Sequence, residues 1–122
     1  MENIFNIQTA FFKILDKGFK DEVCVFKILK GDIPLKYILI EGIEEQLEKG
    51  LYNHFKIYIK FICKNSDSIW LERTIQKAKI IIKKENLERE LKVEIGGIGL
   101  NNCVLQNFSY GIEGKLVYDL WC

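Results

Sequence analysis

His54-Phe55-Lys56-Ile57-Tyr58-Ile59-Lys60-Phe61-Ile62-Cys63 decides the fold. Phe55, Ile57, Ile59, Phe61 and Cys63 fall on one side of an extended chain, while Lys56, Tyr58, Lys60 and Lys64 fall on the other, with Ile62 as the exception. Such a strand buries one face and wets most of the other, so it belongs to a sheet covered on one side. Upstream, Pro34 precedes Leu35-Lys36-Tyr37-Ile38-Leu39-Ile40-Glu41, in which both alternating sets are largely apolar, and a central strand is expected there. Before it, Val23-Cys24-Val25-Phe26-Lys27-Ile28 reads as a short first strand ended by Lys30-Gly31-Asp32. Glu44, Glu45 and Glu48 lie between Gly42 and Gly50, and that stretch is expected to be an acidic surface turn.

Two segments change period. Ile4, Ile7, Phe11, Ile14 and Leu15 recur at helical spacing, and Asp16-Lys17-Gly18 supplies a cationic last turn with a glycine stop, which predicts an amphipathic helix over 4–17. Beyond Asn65-Ser66-Asp67-Ser68, which offers several helix-capping side chains, Leu71, Ile75, Ala78 and Ile82 predict a second helix over 68–84. Leu91, Val93 and Ile95 then alternate with Lys92 and Glu94 as a strand, loosened by Gly96-Gly97 and Gly99. Residues 104–110 and 115–121 read as two strand pieces around Gly111 to Gly114, either a hairpin or one bent strand. The expected architecture is α+β: a mixed, mainly antiparallel sheet of five or six strands with two helices packed on one face.

The 122 residues suit a single domain, 1–122, with a core that needs no disulfide or metal staple. A net charge of +1 gives no general attraction to nucleic acid or to an anionic membrane, and no stretch is long and apolar enough to cross a bilayer. The first residues lack the basic flank and apolar run of a secretion signal, so a cytoplasmic location is expected. Cys24, Cys63, Cys103 and Cys122 form no Cys-x-x-Cys pair, and His54 has no ligand partner near it in sequence. Neither a metal nor a cofactor is expected.

No nucleophile with a base and no carboxylate pair stands out, and Gly96-Gly97-Ile98-Gly99 lacks the Lys-Ser or Lys-Thr pair of a phosphate loop, so the chain does not read as an enzyme. Lys77, Lys79, Lys83 and Lys84 make the second helix basic, which reads as a solvated face with cations at a helix C-terminus. Two helices cover one side of such a sheet and leave the other bare. Tyr58, Phe108, Tyr110, Tyr118 and Trp121 are the residues expected on that second face or an edge, where either a further copy of the chain covers them or a strongly coiled sheet folds over itself and buries them.

The order of these elements, with Pro34-Leu35-Lys36-Tyr37 leading an apolar strand, the long alternating strand Phe55 to Cys63, the helix after a Ser/Asp turn from Ser66 to Lys84, and Gly111-Ile112-Glu113-Gly114-Lys115-Leu116 near the end, resembles the tail terminator, or tail completion, proteins of long-tailed bacteriophages. The resemblance spans nearly the whole chain. It departs where the family often has a second proline before the tyrosine and an acidic residue closing the first strand; here stand Lys36 and Leu29-Lys30. The resemblance implies a homo-oligomeric, usually six-membered ring in the virion tail, assembled in the bacterial host cytoplasm. That ring ends tube polymerisation and contacts the tail tube protein and the head-tail connector, with no sequence-specific contact to nucleic acid. Within such a ring Glu44, Glu45 and Glu48 are expected to face the lumen or the tube, keeping passing DNA from sticking. The alternative is a small intracellular module that binds a ligand or protein between sheet and helices.

Overall fold

The computed structural model describes residues 2–45, 54–65, 67–83, 86–90, 102–110 and 113–121. Helix α1 (Glu2–Phe19) leads to β1 (Cys24–Phe26), β2 (Lys36–Glu45) and β3 (His54–Cys63), then to α2 (Ser68–Ile81), β4 (Asn102–Tyr110) and β5 (Glu113–Trp121). A third, short helix covers residues 86–90, so the helical layer has one more piece than the two helices expected. The architecture is α+β with one open mixed sheet, ordered β1-β2-β3-β5-β4. Among the described residues only the β1–β2 pairing is parallel; β2–β3, β3–β5 and β5–β4 are antiparallel.

The register follows from the alternation in β3. Ile38, Ile40 and Gly42 of β2 stand opposite Phe61, Ile59 and Ile57, and on the other flank Gly114, Leu116, Tyr118 and Leu120 of β5 stand opposite Phe61, Ile59, Ile57 and Phe55. This face is the core. Ile7, Phe11, Ile14 and Leu15 of α1 and Leu71, Ile75 and Ala78 of α2 close over it, with Leu87 from the short helix. The strand side chains of this set at Ile38, Ile40, Phe55, Ile57, Ile59, Phe61 and Leu116 have no solvent exposure. A slip of one residue in β3 would expose all five of its core side chains, which fixes the pairing.

Gly114 sits where α2 comes nearest the sheet: a Cβ there would run into the Ile75 side chain. Gly18, expected as the left-handed stop of α1, instead lies within the helix, and a Cβ on it would stand 2.6 Å from Ile81. Its smallness serves the approach of the two helices. The left-handed position is Lys20 (φ 54), whose N–H bonds to the Asp16 carbonyl at 2.9 Å.

Several boundaries differ from the sequence reading. Strand β1 is three residues rather than six, because the Gln8 side-chain amide stops the ladder: it donates to the Ile40 carbonyl at 2.6 Å and lies 3.5 Å from the Lys27 carbonyl. Gly42 to Glu45, expected in an acidic turn, instead continue β2 against Ile57 to His54. Glu48 lies outside the described residues, as do the strand expected at Leu91 to Ile95 and the Gly96-Gly97-Ile98-Gly99 stretch. The last two strands resolve as a hairpin, with Tyr110 opposite Glu113.

Asp67 starts α2, accepting from the Trp70 backbone N–H at 3.0 Å and from Lys36 Nζ at 2.8 Å. The Lys36 ammonium, and then the Trp70 N–H, hold this carboxyl below the ordinary aspartate range. A depressed folded-state pKa means stability present above the ordinary aspartate range and lost as pH falls through the lowered value. Asp67→Asn is therefore expected to lower the thermal midpoint at neutral pH, with the gap from wild type closing in strong acid; parallel melts from pH 7 down to pH 2 check this. A gap unchanged across that series would remove the ion pair from the account.

Candidate assembly surface

Residues that alternate with the core set occupy the opposite face of the sheet. By register they form rows: Tyr37 beside Ile62 beside Glu113, Phe26 beside Leu39 beside Lys60 beside Lys115, and Glu41 beside Tyr58 beside Val117. The helices of the described residues pack on the other side, and their buried residues join the core cluster there. This second face is neither plainly polar nor plainly core. Leu39, Tyr58, Ile62 and Phe26 are half-buried, Tyr37 and Val117 are buried by their neighbours, and Ile43 is 49% exposed.

Charge is threaded through the apolar strip in a definite order. Lys60 and Lys115 stand directly opposite one another, an arrangement that is unfavourable for like charges unless each has other company. Lys60 pairs with Glu41 at 2.6 Å, and Lys115 lies over the Tyr58 ring, 5.6 Å from its centroid. Lys64 similarly lies over Tyr37 at 5.9 Å, and Phe26 meets Tyr37 edge to face at 5.8 Å. Aliphatic stems and ring faces thus turn toward one another, with the charged tips at the surface. Glu41, Gly42, Ile43, Tyr58, Lys60 and Lys115 border an open hollow of about 350 Å³.

The structure separates the five aromatic residues that the sequence put together. Tyr58 lies on the bare face. Tyr118 does not: it shares the face of Leu116 and Leu120, is 4% exposed, and packs 5.2 Å from the Phe11 ring beneath α1. Counting by twos from Leu116 assigns it to the core, whereas grouping aromatics by type placed it outside. Phe108 and Tyr110 pair in register with Lys115 and Glu113, and Trp121 with His54, so all three stand at positions of the bare-face rows; their side chains lie outside the described residues. Glu44 and Glu45 end β2, opposite Phe55 and His54, and their side chains likewise lie outside the described residues.

Other candidate chemistry has ordinary company. Cys63 is buried, donates to Asn65 Oδ1 at 2.8 Å and accepts the Asp67 backbone N–H at 3.1 Å, so its sulfur ties the turn that starts α2. Cys24 is exposed on β1. Among the described residues no three His, Cys, Asp or Glu side chains come together as metal ligands, and no helix is long and apolar enough to cross a membrane. Lys77 of the basic helix pairs with Glu22 at 2.8 Å and lies over the Phe19 ring, which ties α2 to the end of α1.

Sequence reasoning missed one apolar surface. Ile28, Leu29, Ile33 and Leu35, in the connection from β1 to β2, are all exposed, with Ile28 at 67% and Leu35 at 60%. The sequence pattern places Ile28 in the first strand, whereas the structure ends β1 at Phe26. The signal available was the density of large apolar residues around Lys30-Gly31-Asp32. The chain matches no protein-family model and no curated protein.

Proposed function

We propose that the chain is a structural assembly protein which joins copies of itself into a ring through the bare face of its sheet, and that the ring caps a bacteriophage tail tube. The observation that carries this reading is the half-buried apolar set Phe26, Leu39, Tyr58 and Ile62, with Ile43 49% exposed, on the side of the sheet away from the helices of the described residues. A face of this make-up is a surface for protein contact, since monomers seldom leave contiguous apolar area in water. A ring needs a heterologous contact, in which this face meets a different surface of the next copy, and the exposed Ile28, Leu29, Ile33 and Leu35 supply one of matching character. The work is done by surfaces, without catalysis or a cofactor. Tube capping itself rests on the resemblance of the element order and of Pro34-Leu35-Lys36-Tyr37 to tail terminators. Glu44, Glu45 and Glu48 are the residues assigned to the lumen or the tube side.

The test is a polymerisation assay with the cognate tail tube protein. The expected result is that adding the chain halts elongation and leaves annular caps at tube ends in negative stain. Tubes that grow to the same length distribution with and without it would count against the capping role.

A further inference from the structure

The outer edge of β2 changes character halfway along. β1 pairs only with Tyr37 to Leu39, while β2 continues to Glu45. The Ile40 carbonyl points to that outer side, since it accepts from Gln8 there rather than from β3. Because backbone groups alternate sides along an antiparallel strand, the N–H and C=O of Gly42 and Glu44 point the same way. Among the described residues no strand pairs with this stretch on its outer side.

Open strand edges are sites where another extended chain adds itself, and proteins commonly guard them with charge. Here the guard is mainly of one sign: Glu44 and Glu45 fall with Glu41, which already pairs with Lys60, within five residues around Ile43, which is 49% exposed. Two β2 edges meeting head to tail would bring glutamates against glutamates, so the edge disfavours its own copy. It favours an extended segment of opposite charge.

We propose that the Gly42–Glu45 edge of β2 is a docking site for an extended basic segment of a partner protein, one that alternates Lys or Arg with apolar residues. Its main chain would bond to Gly42 and Glu44, its apolar side chains would lie by Ile43, and its cations would meet the glutamates. The proposal is independent of ring formation and stands or falls on the edge alone.

The probe is an acetylated, amidated Lys-Val-Lys-Val-Lys-Val-Lys peptide, with a Glu-Val counterpart as control. On addition of the basic peptide, the amide protons of Gly42 and Glu44 are expected to gain protection from hydrogen exchange, and binding is expected to weaken at least about fivefold between 20 and 200 mM salt. Glu44→Pro deletes an N–H that the β3 ladder does not use, and proline is tolerated at an outward edge position; it is expected to weaken binding about tenfold or more. Glu44→Gln keeps the N–H and loses one charge, for a loss of about two- to fivefold at low salt. Equal binding by Glu44→Pro and wild type, equal binding of the two peptides, or binding without protection at Gly42 and Glu44 would each overturn the proposal.

Discussion

Phe61→Ala is expected to lower unfolding free energy by about 3–5 kcal/mol, the range for removing a buried aromatic ring, and so to leave a chain of this size close to unfolded at 37 °C. Phe61 is fully buried, with Ile38 on one flank and Gly114 on the other. Glycine on one side and a helix held close by that glycine above leave little that can move into the space of a lost ring. Ile75, which rests over Gly114, would have to drop toward the sheet and drag α2 with it. Urea unfolding followed by circular dichroism measures the loss. A midpoint within error of wild type would mean that the sheet and α2 do not share the core described above.

The second large effect concerns assembly and leaves the monomer intact. Ile62→Lys places a cation between Tyr37 and Glu113 on the bare face. The lysine stem can lie along the sheet where isoleucine lay, and its ammonium faces a carboxylate across the strand pair. Within one chain the change is therefore mild, with a thermal midpoint expected within a few degrees of wild type. In the ring the same ammonium and the Glu113 carboxylate beside it would both be taken out of water against apolar groups, at a cost of several kcal/mol per contact. The expected outcome is a folded particle of 14.3 kDa at concentrations where wild type assembles. Ile62→Lys particles of wild-type mass would exclude this face as the contact.

How far the sequence carried the fold is clearest at β3. Ten residues alternating almost without fault mark the strand and its buried face, and the structure pairs all ten with β2; in the order β1-β2-β3-β5-β4 the central place, expected for Leu35 to Glu41, falls to β3 instead. The two long helices were equally legible, because their apolar spacing and the Asp67 cap are local signals. What failed was set by contacts distant in sequence. Gly18 read as a helix stop because nothing local reveals that Ile81 will press against it. Val23 to Ile28 read as a full strand because its early end is imposed by Gln8, a side chain from another element.

The candidate surface was legible in outline and not in membership. That the two long helices would pack on one face of the sheet followed from counting elements. Which residues occupy the other face depends on register, and register moved Tyr118 into the core while adding Phe26, Leu39, Ile62 and Val117. Lys60 and Lys115, far apart in sequence, become direct neighbours with Glu41 and Tyr58 as their company. Such an arrangement leaves no trace in spacing along the chain.

The measurement that bears most directly on the central claim, that the bare face joins copies of this chain, is solution mass by light scattering across concentration and salt. The account predicts a closed particle at a fixed multiple of 14.3 kDa, six for the ring proposed, holding at high salt because the contact is mainly apolar. A mass of 14.3 kDa at every concentration would contradict it.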